Sequence, residues 1–428
     1  MSKNYKILML ASLCNGISFS MILPLLAPLV RQLHLTEFQG GLLVSSGALM
    51  MCIAAIWISK RSETQNIYKL LSFGFVGMTI TWGMFSAVLS YGVSFQISLG
   101  LLFLLLIITR ASTGIFMAMP QIALQSYVMT YFTSEQQRSK TMSAFGALNS
   151  AGLILGPLLT ALLIVQGILV PLWLAMILLA CVSILIIFKF NQFEQKPEIA
   201  EKTQIDHLKK AAGTQHESVH LDGYQADQQK DSMSFKVNSK IIFWLMVGLS
   251  LFLAVVTLNL TAGFYIQDKF VLPIQQSAIY FSQCSLIAGV ALVCMQITIS
   301  KWLKWSLNRL FIVGAINMIL GVLICVLAQR VQVFQAAYFF LGIAIACLSP
   351  VFTTGAAQSV ALQWQTRIAA LCTIVQSLSL VIAPLLSTAI YQIDIAYPFY
   401  FLLGLFTFLL LYFAYMQSSN YLKPDFVS

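Results

Sequence analysis

The chain has 428 residues, of which 59% are hydrophobic and only 9% are charged, whereas an ordinary soluble domain is about 25% charged. A soluble fold of this size could not bury so much apolar surface, so the composition excludes a soluble globular protein and predicts a polytopic membrane protein. The formal net charge of +10 would suit a nucleic-acid-binding protein, but the placement of the basic residues argues against that class.

Apolar segments of membrane-spanning length follow one another along the whole chain. Each has about 20 residues or more, as a transmembrane helix requires. A hydrophilic stretch at 190–238 separates the first six from the last six. The predicted spans are 7–30, 40–58, 68–90, 97–128, 141–165, 168–188, 240–265, 275–299, 308–328, 333–358, 367–391 and 397–416.

The hydrophilic stretch divides the chain into an N-terminal six-helix bundle at 1–189, a cytoplasmic flexible linker at 190–238 and a C-terminal six-helix bundle at 239–428. The linker holds eight of the fourteen acidic residues and few aromatic ones, which is typical of a disordered segment. His216–His220 spells H-E-x-x-H, which binds zinc when a rigid helix presents it. Because this copy lies in a polar linker, we interpret it as solvated chain. We predict no metal site, no cofactor and no enzyme activity.

The lysines and arginines predict the orientation. With the N-terminus inside, the cytoplasmic segments carry most of the basic residues, and the outer side keeps only Arg31, Lys269 and Arg330. This positive-inside bias predicts that both termini and the linker are cytoplasmic, in the cell's inner (plasma) membrane. It also explains the net charge, so we expect the lipid bilayer as a partner and no nucleic acid.

The two halves carry matching segments in the same order. Gly156–Leu163 (GPLLTALL) matches Ala383–Ile390 (APLLSTAI), and Leu35–Gly40 (LTEFQG) loosely matches Leu272–Ser277 (LPIQQS). These matches predict a duplicated six-helix unit. The predicted fold is therefore an all-α membrane protein with about 12 transmembrane helices in two six-helix pseudo-symmetric bundles. Parallel halves with a site at their midplane interface are a transporter design.

Arg110 is the most informative single residue, because it lies inside the apolar run Leu101–Leu124. A charge at mid-bilayer costs about 2.5–3.5 kcal/mol on insertion scales, so it normally faces a wet cavity or a partner. All fourteen acidic residues fall in loops, at helix ends or in tails, and none is an obvious partner. Since arginine binds carboxylate or phosphate in a bidentate fork, an anionic substrate is one hypothesis for its counterion. The alternative is a packing arginine satisfied by backbone carbonyls and side-chain amides.

Polar side chains at membrane depth should face protein or water, which makes several amides candidates for substrate contact. Gln121 shares a helix face with Arg110 and Gly114. The alternative for each amide is an interhelical hydrogen bond, worth a fraction of a kcal/mol to about 2 kcal/mol. The candidate substrate-binding amides are Asn15, Gln121, Asn149, Asn259, Gln283 and Gln376.

Two motifs resemble a known family. Arg110–Gly114 (RASTG) resembles the R-x-x-x-G motif of the major facilitator superfamily, and Gly152–Pro157 (GLILGP) resembles the G-x-x-x-G-P element of its twelve-helix drug:proton antiporter branch. The resemblance covers nearly the whole chain, and it implies the major facilitator fold and alternating access. Gly114, Gly152, Gly156 and Pro157 would then form a hinge or packing seam for conformational change, with static close packing as the alternative.

The chain also departs from that family's pattern. Its loop between spans 2 and 3 has Lys60 where an aspartate is usual, and it lacks the usual glycines. Asn15 stands in span 1, where related antiporters often carry an acid, and Thr160 and Ala161 replace the paired glycines that usually follow G-P. These departures leave the coupling ion open, with a proton among the candidates.

Four polar residues fall at the outer ends of spans 1, 2 and 7, namely His34, Glu37, Asp268 and Lys269. Solvated helix ends are the favoured interpretation, and a gate between the halves is the alternative.

The predicted function is a monomeric secondary active transporter. We expect it to export a small organic molecule, such as a drug-like compound or a secreted carboxylate metabolite, and Arg110 raises the hypothesis that this substrate is anionic. The alternatives are an importer or facilitator of a nutrient organic anion and, from another class, a non-transporting membrane sensor that signals through the linker.

Overall fold

A computed structural model describes residues 3–60, 67–94, 98–131, 135–190, 238–303, 305–360 and 365–418. The regular structure of these residues consists of helices. The predicted linker, its H-E-x-x-H segment and most of the loop between spans 2 and 3 lie outside the described residues. The helices are α1 (Lys3–Met21), α2 (Leu23–Gln32), α3 (Glu37–Lys60), α4 (Ile67–Ser94), α5 (Leu99–Tyr131), α6 (Glu135–Leu163), α7 (Val170–Lys189), α8 (Ser239–Phe270), α9 (Ile274–Lys301), α10 (Leu307–Leu327), α11 (Val331–Gln358), α12 (Gln365–Ile393) and α13 (Tyr397–Ser418).

Within the described ranges, eleven helical segments are long and apolar enough to cross a membrane. The first is α1 together with α2, which begins at a proline turn after Met21 and extends the span to Gln32. The remaining predicted span, the fifth at 141–165, corresponds to α6, which is 29 residues long but opens with the charged stretch EQQRSK. The structure confirms the predicted all-α membrane fold.

The helix packing of the first half recurs in the second. α6 packs along α1 as α12 packs along α8, and α5 contacts α3 and α4 as α11 contacts α9 and α10. α7 contacts α1 and α4 in the same way that α13 contacts α8 and α10. The halves meet where α3 packs on α12 and where α6 packs on α9. Because α3 corresponds to α9 and α6 to α12, these two contacts are equivalent to each other. This pattern is what a pseudo-two-fold arrangement of duplicated units produces.

The same backbone turn ends the first span of each half. His34 and Val271 are the non-glycine residues in the described chain with a left-handed backbone, at φ 56° and 50°. The amides of the next residues, Leu35 and Leu272, donate to carbonyls five positions back at 2.9 and 3.1 Å. The two turns are 237 positions apart. A valine adopts this conformation only under strain. The presence of the same turn at equivalent positions of both halves therefore supports the predicted duplication.

Candidate functional site

Three glycines allow α1 and α6 to approach each other closely. A Cβ atom on Gly152 would lie 2.7 Å from the Ile17 amide nitrogen, and one on Gly156 would lie 2.7 Å from the Ile17 carbonyl oxygen. Gly16 of α1 faces the Asn149 carbonyl of α6 with equally little room. Small residues are what permit such backbone contact between membrane helices. We call this contact the α1–α6 seam.

Hydroxyl groups cross the α1–α6 seam and bind backbone carbonyls. Ser20 Oγ donates to the Gly152 carbonyl at 3.2 Å, and Thr160 Oγ1 donates to the Met21 carbonyl at 3.0 Å. Pro157 lies inside α6 between the two bonds. Thr160, which departs from the family's usual glycine, therefore has a local structural role. The conformational residues predicted on α6, namely Gly152, Gly156 and Pro157, thus lie along the part of that helix that packs closely on α1.

Replacing Thr160 with valine is expected to destabilise the protein by about 0.6–1 kcal/mol, because the nearly isosteric side chain cannot donate to Met21 across the seam. The measurement is the thermal unfolding midpoint in detergent. Thr407→Val is the matched control, since the Thr407 hydroxyl is exposed and donates at 2.7 Å only within its own helix. Equal losses for the two variants would contradict a role for the interhelical bond.

Gly114 places α5 directly against α3. A Cβ atom on Gly114 would overlap the Gly47 carbonyl and lie 2.9 Å from its carbon. One on Gly47 would lie 3.3 Å from the Arg110 carbonyl oxygen. The glycine of the R-x-x-x-G motif thus serves backbone contact between two helices and fixes the position from which the Arg110 side chain extends.

Arg110 extends from α5 towards α4. Its guanidinium carbon lies 5.4 Å from the ring centres of both Trp82 and Phe85, and the residue is 8% exposed. In the described part of the chain, the recorded salt bridges both belong to Arg31, and no hydrogen bond from Arg110 is recorded. A desolvated cation–π contact is worth about 2 kcal/mol, whereas burying an ion costs several kcal/mol. Two such contacts offset much of this cost, but they leave the N–H donors of the guanidinium group without an oxygen acceptor among the described residues.

The predicted amides are spread over several local environments. Gln283 accepts a hydrogen bond from the Gln335 amide of α11 at 2.6 Å, and Asn259 donates to a carbonyl of its own helix at 2.7 Å. The structure records no contact that joins either of them to Arg110 among the described residues. The candidates that are half-buried or exposed without a recorded side-chain hydrogen bond in those ranges are Asn15, Gln121, Asn149 and Gln376.

A polar network joins the two halves at the end of the bundle away from the chain termini, which we call the distal end. Arg31 Nη2 lies 2.6 Å from Glu37 Oε1 and 2.7 Å from Asp268 Oδ2. The Tyr391 hydroxyl donates to the same Asp268 oxygen at 2.6 Å. Arg31 and Glu37 belong to the first half, and Asp268 and Tyr391 belong to the second. We call these four residues the distal latch.

Close packing continues beneath the distal latch. A Cβ atom on Gly263 of α8 would lie 2.8 Å from the Ala27 methyl of α2. Further in, Ser45 Oγ of α3 donates to the Val381 carbonyl of α12 at 2.8 Å. These contacts between the halves lie in the distal half of the helices that they join, so the two halves pack together there.

The interpretation of the outer helix ends as solvated is wrong for Glu37 and Asp268, which are paired with a cation between the halves. It is also wrong for Lys269, whose ammonium group donates to the Val326 carbonyl at 2.6 Å and so caps α10. His34 is exposed, as expected of a solvated turn. The alternative of a contact between the halves thus holds for the two acids.

Sequence reasoning missed Arg31 and Tyr391 as members of this network, and used Arg31 only as an orientation signal. A usable signal existed for Arg31. It precedes Asp268 by 237 positions, the same offset that separates His34 from Val271. Equivalent residues close to a pseudo-two-fold axis face each other, so opposite charges at such positions predict a pair.

Comparison with known proteins agrees with this architecture. The family model described as Major Facilitator Superfamily matches residues 8–360. The chain belongs to the major facilitator superfamily. No curated protein matches its sequence.

Solved structures of major facilitator superfamily transporters share the fold at low sequence identity. The D-xylose–proton symporter superposes with a TM-score of 0.70 at 13% identity, covering 96% of each chain. The nucleoside transporter NupG gives a TM-score of 0.66 at 11% identity, covering 97% of this chain and 100% of that one. A bacterial homologue of the lysosomal transporter Spinster, inward-facing and unoccupied, gives 0.63 at 13% identity, covering 97% and 96%. Identities this low show the fold alone.

Membership in the major facilitator superfamily makes the chain an integral membrane protein with many transmembrane helices, and it points to a transporter rather than an enzyme. The predicted resemblance is confirmed at the level of the superfamily. The neighbours include nucleoside, iron, sugar and peptide transporters, so the fold does not select a substrate.

Proposed function

We propose that this protein is a secondary active transporter that exports a small organic anion by alternating access, in the manner of the drug:proton antiporter branch. The observation that carries the mechanism is the distal latch, an ion-pair network between the two halves at one end of the bundle. A transporter of this design rocks its halves about a midplane site, so contacts between the halves at one end must break and re-form in every cycle.

The distribution of lysine and arginine between the two sides of the membrane supports an orientation that fits export. Both termini are proposed to be cytoplasmic, in the inner or plasma membrane, which makes the distal end the outer one. In an alternating-access cycle, a closed outer end belongs to the state whose substrate path opens to the cytoplasm, where an exporter loads its cargo. The resemblance of Gly152–Pro157 to the exporter element supports this direction.

The strength of the distal latch suits a reversible switch. A partly exposed ion pair contributes about 1 kcal/mol or less, and a hydrogen bond to a carboxylate, such as that from Tyr391 to Asp268, contributes about 1.5–3 kcal/mol. Two conformations that differ by a few kcal/mol are both accessible, and a ligand with different affinities for them shifts their populations. The latch is therefore suited to holding one state without preventing the other.

Arg110 supports an anionic cargo. It lies near the middle of a membrane-spanning helix, and its recorded contacts in the described ranges are two aromatic rings. A guanidinium group presents five donors that match a carboxylate. Among the described residues, Glu37 and Asp268 are acids of the network between the halves, so proton exchange coupled to transport would take place there or on the cargo itself.

Transport by the purified protein in vesicles tests the proposal. A panel of organic anions, cations and neutral drug-like compounds is assayed in both directions, with and without an imposed proton gradient. Arg110→Ala is expected to lower anion transport at least tenfold, because it removes a charge-assisted contact worth about 1.5–3 kcal/mol. Arg110→Lys should keep part of the rate, since it keeps the charge but loses the fork.

Arg309→Ala is the control, because Arg309 is exposed at the start of α10. A fully active Arg110→Ala protein would end the anion hypothesis, and inward transport alone would reject export. Failure of every compound to move in either direction would contradict the transporter assignment.

A further inference from the structure

Two buried hydrogen-bond donors lie on α4, and the first belongs to Trp82, whose ring lies beside Arg110. Within the described ranges, the Trp82 indole nitrogen and the Ser86 hydroxyl have no hydrogen-bond partner, and these residues are 3% and 0% exposed. The Trp82 ring contacts the Arg110 guanidinium group. Ser86 follows Trp82 by one helical turn on the same face of α4.

The Ser86 hydroxyl is unusual among those of its helix. The hydroxyls of Thr79, Thr81 and Ser90 each donate at 2.8 Å to a carbonyl four residues earlier. The equivalent carbonyl, that of Trp82, is available to Ser86, yet the Ser86 hydroxyl donates to no group among the described residues. Buried polar groups are nearly always paired in native structures. An unpaired indole donor beside a buried cation, with an unpaired hydroxyl one turn further along α4, therefore points to an acceptor that the described residues do not supply.

We propose that Arg110, Trp82 and Ser86 form a binding subsite for a carboxylate group, with the Phe85 ring as its apolar wall. The proposal rests on the proposed transport function, because the carboxylate belongs to the cargo. The rings of Trp82 and Phe85 lie 6.3 Å apart and both contact the guanidinium group. A cation–π contact uses the charge of that group and leaves its N–H donors to an oxygen acceptor.

Charge matching selects a carboxylate over a phosphate. The subsite holds one cation, which balances the single negative charge of a carboxylate. A phosphate monoester carries about −1.5 to −2 at pH 7 and would leave negative charge uncompensated in a buried place. Each carboxylate oxygen accepts more than one hydrogen bond, so two oxygens can satisfy the indole, the hydroxyl and the guanidinium group together.

Ligand binding to the purified full-length protein in lipid nanodiscs tests the subsite without any transport step. The probes are acetate, benzoate, the neutral benzamide and inorganic phosphate, and the readouts are the thermal unfolding midpoint and a titrated Kd. Trp82→Phe keeps an aromatic ring near the guanidinium group and removes the N–H donor. Ser86→Ala removes only the hydroxyl.

We expect the carboxylates to raise the unfolding midpoint, with benzoate the tighter of the two, and benzamide and phosphate to leave it unchanged. The Kd for benzoate should rise about tenfold in Trp82→Phe and in Ser86→Ala, because each loses one hydrogen bond to a charged group. The matched controls are Trp173→Phe, an indole on α7 that is 37% exposed, and Ser90→Ala, whose hydroxyl is already paired. Both should keep the wild-type Kd.

Several results would overturn the subsite: no binding of either carboxylate, equal binding of benzamide, binding of phosphate instead, or a wild-type Kd in both variants. If Trp82→Phe fails to fold, Ser86→Ala carries the test, because it removes a single oxygen atom.

Vesicle transport by the same variants separates the two proposals. Unchanged transport in both variants rejects the subsite and leaves the transport function intact. Benzoate binding that depends on Trp82, with no compound transported by the wild type, retains the subsite and rejects the transport function.

Discussion

Replacing Gly114 with alanine is expected to destabilise the protein strongly and to reduce transport, while Gly100→Ala in the same helix lowers neither stability nor transport. The added methyl group at Gly114 meets the Gly47 carbonyl of α3, which is backbone and cannot rotate away. Overpacking of this kind typically costs about 1–3 kcal/mol. At Gly100 nothing lies within 4 Å of the new atom, and alanine favours the helix by up to about 1 kcal/mol.

Gly47→Ala provides an intermediate case. Its methyl group would stand 3.3 Å from the Arg110 carbonyl oxygen, a tight contact that a small helix shift relieves. The expected order of thermal unfolding midpoints in detergent is therefore Gly100→Ala highest, Gly47→Ala next and Gly114→Ala lowest. Transport should fall in the same order, because separating α5 from α3 also moves Arg110. Equal midpoints for the Gly114 and Gly100 variants would show that the helices are not packed as described.

The second large effect is expected from Arg31→Gln, which should shift the protein towards a state with its distal end open. In the native protein Glu37 and Asp268 both bind the same nitrogen atom of Arg31. Without the guanidinium group, these two carboxylates face each other as like charges. Loss of about 1–2 kcal/mol from the closed state changes the ratio of the two states about 5- to 30-fold.

Distances between spin labels measure this shift. Cysteines placed at His34 and Val271 in a cysteine-free background report on the two halves, because both sites are exposed at the distal end. Arg31→Gln should enlarge the population with the longer distance, and adding Glu37→Gln should reverse part of the change by removing one of the like charges. Arg330→Gln, at an exposed distal arginine, is the control. An unchanged distance distribution in Arg31→Gln would refute the distal latch.

The helices were predictable because a membrane span requires about 20 apolar residues, which leaves a clear signal. The α1–α6 seam was predictable in part, since G-x-x-x-G marks close helix contact in membranes. Sequence also singled out Arg110, because a charge inside an apolar run is costly.

The surroundings of Arg110 could not be predicted, because helical periodicity gives the angle between residues but not the neighbour that each face meets. The sequence suggested a polar stripe through Arg110, Gly114 and Gln121. In the structure Gly114 is covered by α3, Gln121 is exposed, and the Arg110 side chain meets two aromatic residues of α4. Trp82 and Ser86 resembled ordinary residues of an apolar span, since an unpaired donor is recognised only once its neighbours are known.

The salt bridge between Arg31 and Asp268 also favours one way of pairing the halves over the others. In a symmetric dimer of identical six-helix units, a residue beside the two-fold axis meets its own copy, so Arg31 would face a second arginine and Asp268 a second aspartate. Attraction arises only when one half of each kind is present. The opposite charges at equivalent positions therefore favour the mixed pair over either self-pair, and they record that the two halves have diverged into complementary parts of a single chain.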